Sequence, residues 1–235
     1  MRSTTALLAA TLSSLTLLTT SSPVPAPSPQ LSLGGTQNGV TSGTATCKPV
    51  TLIFARGTFE LSNMGSVVGP SLASDVGKAI GGTDKLTVQG VNYAADVAGI
   101  FAEITGGAGT AAMLAEAKQA LSKCPQTQLV LSGYSQGAML VHNTIGKMQA
   151  AEKERIVAAV TFGDPFKSVK LDGVGAERFK TFCATGDPVC GLGGVSALTG
   201  MVSSGGDQSS SMLNHLGYGA DAPAAAKFIQ SRLGS

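Results

Sequence analysis

Charged residues and tryptophan are scarce in this sequence, and their scarcity excludes several classes of protein. Only 13% of the residues are charged, the formal net charge is +2, and tryptophan is absent. A nucleic-acid-binding protein needs a basic patch, which a nearly neutral chain does not supply. A disordered chain combines low hydrophobicity with high net charge, whereas 43% of these residues are hydrophobic. The composition predicts a folded domain without a nucleic-acid partner.

Long apolar runs and metal-ligand spacings are also missing. The longest apolar stretch, residues 6–18, is too short for a transmembrane helix, which needs roughly 20 residues. The two histidines, His142 and His215, have no ligand spacing with the four cysteines, and no C-x-x-C pair occurs. The sequence therefore predicts neither a transmembrane segment nor a metal site.

The N-terminus has the composition of a secretory signal. Arg2 supplies a positive charge, residues 6–18 form an apolar core, and an uncharged Pro/Ser-rich stretch follows. We expect the protein to be secreted. The expected boundaries are 1–20 for the signal peptide, with an end as late as residue 26, 21–46 for a pro-segment or loose N-terminal region, and 47–235 for one folded domain.

Four cysteines in a secreted chain predict two disulfides, for which three pairings exist. Cys183 and Cys190 enclose a tight loop, and Cys47 with Cys124 would then close a long one. Spacing leaves the other pairings open.

The most informative stretch is an apolar strand pattern at residues 129–131 that leads into Gly133-Tyr134-Ser135-Gln136-Gly137 and then into a helical pattern. Strand, G-x-S-x-G and helix in this order are typical of a nucleophile elbow. The serine lies on a sharp turn, and its neighbours must lack bulk where the turn folds on itself. A plain Gly-Ser turn is the alternative. The context favours Ser135 as a nucleophile.

Apolar runs that alternate with helical patterns along the chain predict an α/β fold. We expect a three-layer α/β/α sandwich with a central, five-stranded, mostly parallel sheet and a site at the carboxyl ends of its strands. Residues 30–46 are expected to be loose, and residues 100–109 to form a flexible loop. The expected strands are 49–55, 85–93, 129–131, 156–162 and 178–184, and the expected helices are 69–80, 110–123, 136–151 and 220–233.

A serine nucleophile needs a base, and the chain offers only His142 and His215. His142 follows Ser135 by seven residues on the same predicted helix, about 10 Å along its axis and out of reach. We expect it on the helix surface. His215 lies in a predicted loop before the last helix, which fits the order Ser, Asp, His of α/β-hydrolases.

The acid that orients the histidine should lie between Ser135 and His215. Asp187 is favoured because it lies in a short loop between two cysteines, which would hold a carboxylate rigidly. Asp164 is the rival, with a turn cap before Pro165 as its structural alternative. The candidates are Asp164, Asp172, Asp187 and Asp207.

An oxyanion needs two donors. The backbone N–H of Gln136, directly after the nucleophile, is one candidate, and Thr58, after the first strand, is the other. For Thr58 an ordinary turn threonine is the alternative.

Four motifs, taken together, resemble those of fungal cutinases, which are serine esterases with a compact α/β-hydrolase fold. The resemblance runs from Cys47 to the C-terminus. It rests on A-R-G-T-F-E at residues 55–60, G-Y-S-Q-G-A at 133–138, the C-A-T-G-D-P-V-C box at 183–190 and H-L-G-Y at 215–218.

The resemblance implies an esterase acting on cutin or a lipid-like polyester surface, and on short-chain esters. We expect the protein to be a monomer and to need no metal or organic cofactor. The resemblance further implies the triad Ser135, Asp187 and His215, the oxyanion hole Thr58 and Gln136, and the disulfides Cys47–Cys124 and Cys183–Cys190. Acetylxylan esterase, a lipase-like esterase and a catalytically idle surface-binding protein are the alternative functions.

Two features depart from the family pattern. Position 58 commonly carries serine in the family, and threonine keeps the hydroxyl while restricting its rotamer. The catalytic histidine usually follows the cysteine box closely, whereas here residues 191–213 intervene. We expect this segment to form an apolar rim or partial lid over the acyl pocket, with an inconsequential solvated loop as the alternative.

Overall fold

Five parallel strands form a single sheet in the part of the chain that the structure describes. This computed structural model describes residues 35–43, 46–191, 193–203 and 210–234. The strands are β1 (Val50–Ala55), β2 (Leu86–Gly90), β3 (Gln128–Tyr134), β4 (Ile156–Phe162) and β5 (Phe179–Phe182). The strand order is β2-β1-β3-β4-β5, and every neighbouring pair is parallel.

Helices cover both faces of this sheet because successive strand residues point to opposite sides. In β1, Leu52 packs in the core below α1 (Gly69–Ala79) and α8 (Ala222–Gln230), while Ile53 packs in the core below α3 (Ala108–Lys123) and α4 (Gln136–Lys147). The predicted three-layer α/β/α fold is confirmed. The helices are α1 (Gly69–Ala79), α2 (Val97–Ala102), α3 (Ala108–Lys123), α4 (Gln136–Lys147), α5 (Ala150–Glu154), α6 (Gly194–Ser203), α7 (Ser210–Leu216) and α8 (Ala222–Gln230).

Three local predictions were wrong. Part of the expected loop at residues 100–109 belongs to α2, which Asp96 caps by accepting from the Gly99 N–H at 2.7 Å. The expected helix over 136–151 is divided, because Met148 is extended and Gln149 opens a capping box for α5. His215 lies in the last turn of α7 instead of a loop.

Two disulfides and an N-terminal contact fasten the ends of the sheet. Cys47 pairs with Cys124, and Cys183 pairs with Cys190, as the resemblance implied. Residues 37–41, within the segment expected to be loose, are attached to β2. There the Gln89 side chain accepts from the Val40 N–H at 3.0 Å, and Gly39 donates to the Val88 carbonyl at 2.9 Å. None of the helices in the described ranges is long and apolar enough to cross a membrane.

Glu116 on α3 is a buried carboxyl that makes stability depend on pH. Its contacts are weak, with the Asn92 N–H and the Gln89 amide each 3.4 Å from Oε1, and Oε2 is buried without a hydrogen-bond partner among the described residues. Burial raises the pKa of Glu116 from 4.5 to about 7. The folded state therefore keeps a proton that the unfolded chain releases, and this stability is lost as pH rises from 4.5 to about 7.

We expect Glu116→Gln to raise Tm by about 2–4 °C at pH 8, because glutamine carries no charge to bury. At pH 4.5 the variant should melt close to the wild type. Thermal melts of both proteins at the two pH values check this. An equal change in Tm at both pH values would show that the ionisation of Glu116 is not the cause.

Candidate active site

Ser135 occupies the sharp turn between β3 and α4. Its backbone has φ 56° and ψ −120°, a conformation that non-glycine residues rarely adopt. The turn is fixed from the next strand, since the Ser135 N–H donates to the Phe162 carbonyl at 2.9 Å. This hydrogen bond to β4 helps to maintain the strained backbone conformation of Ser135, whose side chain lies at the carboxyl end of β3.

Gly133 and Gly137 are required here by close packing. A Cβ at Gly133 would lie 2.1 Å from the Gly137 carbonyl oxygen, and one at Gly137 would lie 2.1 Å from the Ala55 carbonyl oxygen. Both obstacles are backbone atoms that cannot move aside independently. The two glycines of the motif therefore let α4 begin directly against the end of β1.

A continuous chain of hydrogen bonds joins Ser135, His215 and Asp187. The Ser135 Oγ lies 2.9 Å from His215 Nε2, and His215 Nδ1 lies 2.8 Å from Asp187 Oδ2. All three residues are buried, with relative exposures of 3%, 3% and 7% in that order. The structure brings together the three residues that the sequence singled out.

Two further contacts hold the Asp187 carboxylate. The Val189 N–H donates to Oδ1 at 2.8 Å, and the Tyr218 hydroxyl donates to Oδ2 at 2.5 Å. Burial alone raises the pKa of Asp187, but hydrogen bonds from His215, Tyr218 and Val189 outweigh it and hold the pKa below its ordinary value. The carboxylate is therefore ionised when it faces the imidazole. Sequence reasoning missed this role of Tyr218, although the residue belongs to the H-L-G-Y motif.

A second buried histidine–carboxylate pair joins α4 to the loop that follows β4. His142 Nε2 is 2.9 Å from Asp164 Oδ2, which also accepts from the Thr161 hydroxyl at 2.7 Å. The other oxygen of Asp164 accepts from the Phe166 N–H at 2.7 Å, which is the turn cap that the sequence offered as an alternative. The expectation of a surface position for His142 was wrong, because this partner and the flanking rings of Phe166 and Phe179 enclose it.

The remaining acidic candidates do not join the Ser135 chain. Asp172 binds Lys153 at 3.2 Å, and its side chain is 92% exposed. Asp207 lies outside the described residues. Among the described residues, no group of three or more His, Cys, Asp and Glu side chains is placed to hold a metal ion.

Thr58 and Gln136 meet beside the nucleophile. The Thr58 hydroxyl donates to Gln136 Oε1 at 3.1 Å, and Gln136 Nε2 donates to the Asp96 carbonyl at 3.2 Å. Gln136 is the first residue of α4, so its backbone N–H has no partner within the helix and belongs to the positive end of the helix dipole. The Gln136 side chain thereby connects the loop after β1 with the start of α2.

Glu60 organises the loop that carries Thr58. Its carboxylate accepts from the Gly57 N–H at 2.7 Å and from the Ser66 and Val67 N–H groups at 2.8 Å each. Arg56 donates to the Glu60 carbonyl at 2.7 Å and so closes the turn. The A-R-G-T-F-E motif contains Glu60, but the sequence did not reveal its partners, which range from three residues before it to seven residues after it.

Exposed apolar side chains flank the residues of the site. Phe59 and Leu61 follow Thr58 with exposures of 64% and 82%, and Leu213 and Leu216 flank His215 with 61% and 45%. Phe101, on α2, is 58% exposed. Monomeric proteins seldom expose several large apolar side chains beside one site without a binding role.

The inserted segment begins as a helix packed against the body. In the described ranges, residues 191–213 include α6 and the start of α7. Val195 of α6 packs against a buried cluster of Ile100, Met139 and Val189. The beginning of the segment is therefore anchored between α2 and the loop that carries Asp187.

A cavity of about 630 Å³ lies away from the Ser135 chain. It is bordered by the N-terminal segment, α1 and β2, and includes Lys48, Met64 and Thr87 in its lining. It contains neither a carboxylate nor a histidine.

Comparison with known proteins agrees with the fold and the motifs. The chain matches the sequence model of the Cutinase family over residues 46–233. It is 46% identical over 209 residues to Cutinase 4 of Emericella nidulans, which covers 89% of this chain and 82% of that protein. The solved structure of Trichoderma reesei cutinase in complex with a C11Y4 phosphonate inhibitor matches with a TM-score of 0.67 and 35% identity, over 80% of this chain and 78% of that one.

An acetyl xylan esterase structure shares the fold at 22% identity, with a TM-score of 0.61 over 80% of this chain and all of that one. Together the matches define the class: this is a carboxylic ester hydrolase with an α/β-hydrolase fold. The chain belongs to the cutinase family.

Proposed function

We propose that the protein is a serine esterase in which Ser135 is the nucleophile, His215 the general base and Asp187 the residue that orients the base. The observation that carries the proposal is the unbroken hydrogen-bond chain from Ser135 Oγ through His215 to Asp187. Asp187 accepts from Nδ1, which leaves the Nε2 lone pair facing the serine hydroxyl. The buried, ionised carboxylate then stabilises the imidazolium that forms.

Acylation follows from this geometry. The Ser135 hydroxyl proton passes to His215 Nε2 as Oγ bonds to the ester carbonyl carbon, and the carbonyl electron pair moves onto its oxygen. When the tetrahedral intermediate collapses, the bond between the carbonyl carbon and the alcohol oxygen breaks, and His215 returns the proton to the departing alkoxide. Water then repeats the sequence on the acyl-enzyme, releasing the acid and restoring the serine.

The oxyanion of both steps is stabilised by the backbone N–H groups of Thr58 and Gln136. Gln136 contributes the free N–H at the start of α4, where the helix dipole favours negative charge. Thr58 is held beside it by the hydrogen bond between the two side chains. No metal or organic cofactor takes part in these steps.

The proposed substrate is cutin or a similar apolar polyester, with short-chain acyl esters as soluble substrates. The support is the group of exposed apolar side chains next to Thr58 and His215, which suits contact with an apolar surface. The family relatives named as cutinases agree with this substrate class. We also infer that the protein acts as a monomer, because one chain supplies every residue of the site.

Covalent labelling tests the proposed function. A fluorophosphonate reacts with an activated serine, so the purified protein should gain one adduct, located by mass spectrometry on the peptide that contains Ser135. Prior treatment with p-nitrophenyl butyrate should delay labelling by occupying the serine. An unlabelled protein that also fails to hydrolyse the ester would contradict the proposal.

Thr58→Val should lower kcat/KM for p-nitrophenyl butyrate about tenfold. Valine keeps the shape but loses the hydrogen bond that fixes Thr58 against Gln136, and such a bond contributes about 1 kcal/mol or slightly more. Thr58→Ser restores the hydroxyl and should retain most of the activity. If the valine variant matched the wild type, the hydroxyl would have no part in shaping the oxyanion hole.

We propose that the segment at 191–213, expected as an apolar rim or partial lid, forms an apolar rim over the acyl pocket through α6. Residues 204–209 of this segment lie outside the described residues. Support comes from the anchoring of α6 by Val195 near the Asp187 loop. Replacing the segment by a short Gly/Ser linker should broaden the preference for acyl chain length, measured with p-nitrophenyl esters from acetate to palmitate. An unchanged preference for acyl chain length would contradict the proposal that this segment borders the acyl pocket.

We infer that the protein is secreted. The proposed organisation is a signal peptide over 1–20, a pro-segment or N-terminal region over 21–46 and the hydrolase domain over 47–235, with residues 37–41 contributing contacts to β2. Two disulfides suit an oxidising compartment. N-terminal sequencing of the protein recovered from culture medium would locate the cleavage site.

A further inference from the structure

Tyr218 is buried beside the proposed triad, with 1% of its surface exposed. It begins a short 3-10 helix three residues after His215. Its hydroxyl accepts from the Ala184 N–H at 2.9 Å and donates to Asp187 Oδ2 at 2.5 Å. Since Oδ2 also faces His215 Nδ1 at 2.8 Å, one oxygen receives two donors.

The direction of the Tyr218 hydrogen bond follows from its neighbours. The Ala184 N–H can only donate, so it occupies a lone pair of the hydroxyl oxygen and leaves the hydroxyl proton for an acceptor. The carboxylate at 2.5 Å is a stronger acceptor than the disulfide sulfur of Cys190 at 3.4 Å. Burial, followed by the hydrogen bond to Asp187, raises the pKa of Tyr218, so the hydroxyl stays protonated over the working pH range.

We propose that Tyr218 is a positioning residue of the triad, whose hydroxyl fixes the Asp187 oxygen that faces His215 and limits the negative charge this oxygen presents to the imidazole. This inference rests on the proposed function of the Ser135 site. The Val189 N–H holds the opposite oxygen, so the carboxylate is fixed at both ends. Tyr218 thereby acts on the serine through two intervening residues.

Removing the hydroxyl has two separable consequences. The carboxylate loses one restraint, which lowers the fraction of molecules with His215 aligned on Ser135. Oδ2 also keeps more negative charge for His215 alone, which stabilises the imidazolium form. A protonated His215 cannot accept the serine proton, so the pH at which activity appears should move upward.

The titratable groups around His215 come from four parts of the fold. Asp187, Tyr134 and Tyr218 touch it directly, with the Tyr134 hydroxyl donating to the His215 carbonyl at 2.8 Å and the Tyr134 ring centroid 5.1 Å from that of the imidazole. Burial, and after it the charge of Glu60, raises the pKa of Tyr134. Burial, then Asp187 and, more weakly, Asp221 raise the pKa of Tyr218. Of the two tyrosines, Tyr218 donates to the Asp187 carboxylate, whereas Tyr134 donates to the His215 carbonyl.

The test is the pH profile of kcat/KM for p-nitrophenyl butyrate with Tyr218→Phe, which keeps the ring. We expect the plateau to fall about tenfold, the size of effect for one hydrogen bond to a charged group. The acid limb should move to higher pH by about half a unit or more. Tyr134→Phe is the matched control: it removes a buried hydroxyl from the same site, but one bonded to a backbone carbonyl, so its acid limb should not move.

The outcomes separate this inference from the proposed function. A wild-type protein that does not react with fluorophosphonate contradicts the proposed function itself. If Tyr218→Phe folds and reacts but keeps the wild-type acid limb, Tyr218 is only a packing residue, and the inference is overturned.

If Tyr218→Phe does not fold, 3-fluorotyrosine at position 218 replaces it. Its more acidic hydroxyl donates more strongly, so the acid limb should move to lower pH. An unmoved limb in that protein would overturn the inference equally.

Discussion

Ser135→Ala is expected to lower kcat for p-nitrophenyl butyrate about a million-fold, the scale for loss of a triad nucleophile. Alanine leaves the proposed oxyanion hole and the His215–Asp187 pair in place, so the residual rate reports what these groups achieve without covalent catalysis. The protein should remain folded, because alanine keeps the Cβ and removes only the hydroxyl, which bonds to His215. Steady-state kinetics with a matched circular dichroism melt measures both effects.

Ser132→Ala is the control for this substitution. Ser132 lies three residues earlier on β3, is fully buried, and its hydroxyl has no hydrogen-bond partner among the described residues. Its loss should leave activity unchanged. Comparable inactivation of both variants would mean that any change in β3 disrupts the site, and the assignment of Ser135 as nucleophile would lose its support.

Asp187→Asn should lower kcat about 10,000-fold while the fold is retained. The amide cannot stabilise an imidazolium, and its NH2 group favours the wrong His215 tautomer, with the proton facing the serine. Because Tyr218 and Val189 also donate to this carboxylate, the substitution should cost some stability as well. Kinetics above and below neutral pH would show whether the loss persists when His215 is deprotonated.

Asp164→Asn separates the two acidic candidates. Asp164 accepts from His142, Thr161 and Phe166 and is fully buried, so its loss should destabilise the fold by about 3 kcal/mol. It does not touch the Ser135 chain, and kcat should stay within about tenfold of the wild type at a temperature where the variant is folded. The reverse pattern, with an active Asp187 variant and an inactive Asp164 variant, would reassign the acid.

The elbow and the sheet could be predicted from sequence because their determinants are local. Gly133 and Gly137 are required because a Cβ at either position would clash with backbone atoms of the turn or of the end of β1. Buried parallel strands are recognisable as continuous apolar runs. The order of Ser135, Asp187 and His215 along the chain then restricted the site to a few combinations. The sequence favoured Asp187 as the acid of the triad, but the local pattern alone did not exclude Asp164.

Contacts between distant residues could not be predicted in the same way. His142 is polar on a helix, which suggests a surface position, but its partner Asp164 is 22 residues away and only the fold brings the two together. The α2 helix could not be predicted because Gly99 interrupts its helical sequence pattern. Gly99 is required by a distant residue, since a Cβ there would lie 2.5 Å from Gln136 Nε2. The donors to Glu60 and the Tyr218–Asp187 bond are likewise visible only in three dimensions.

The attachment of residues 37–41 to β2 also covers one edge of the sheet. β2 and β5 are the outer strands of the sheet, and an outer strand with free backbone groups can pair with another molecule. Gly39 and the Asn38–Gln89 bridge cover β2, while β5 has only four residues and carries Lys180 on its exposed side. On the proposed polyester substrate, neighbouring molecules would therefore have few free strand edges through which to pair with one another.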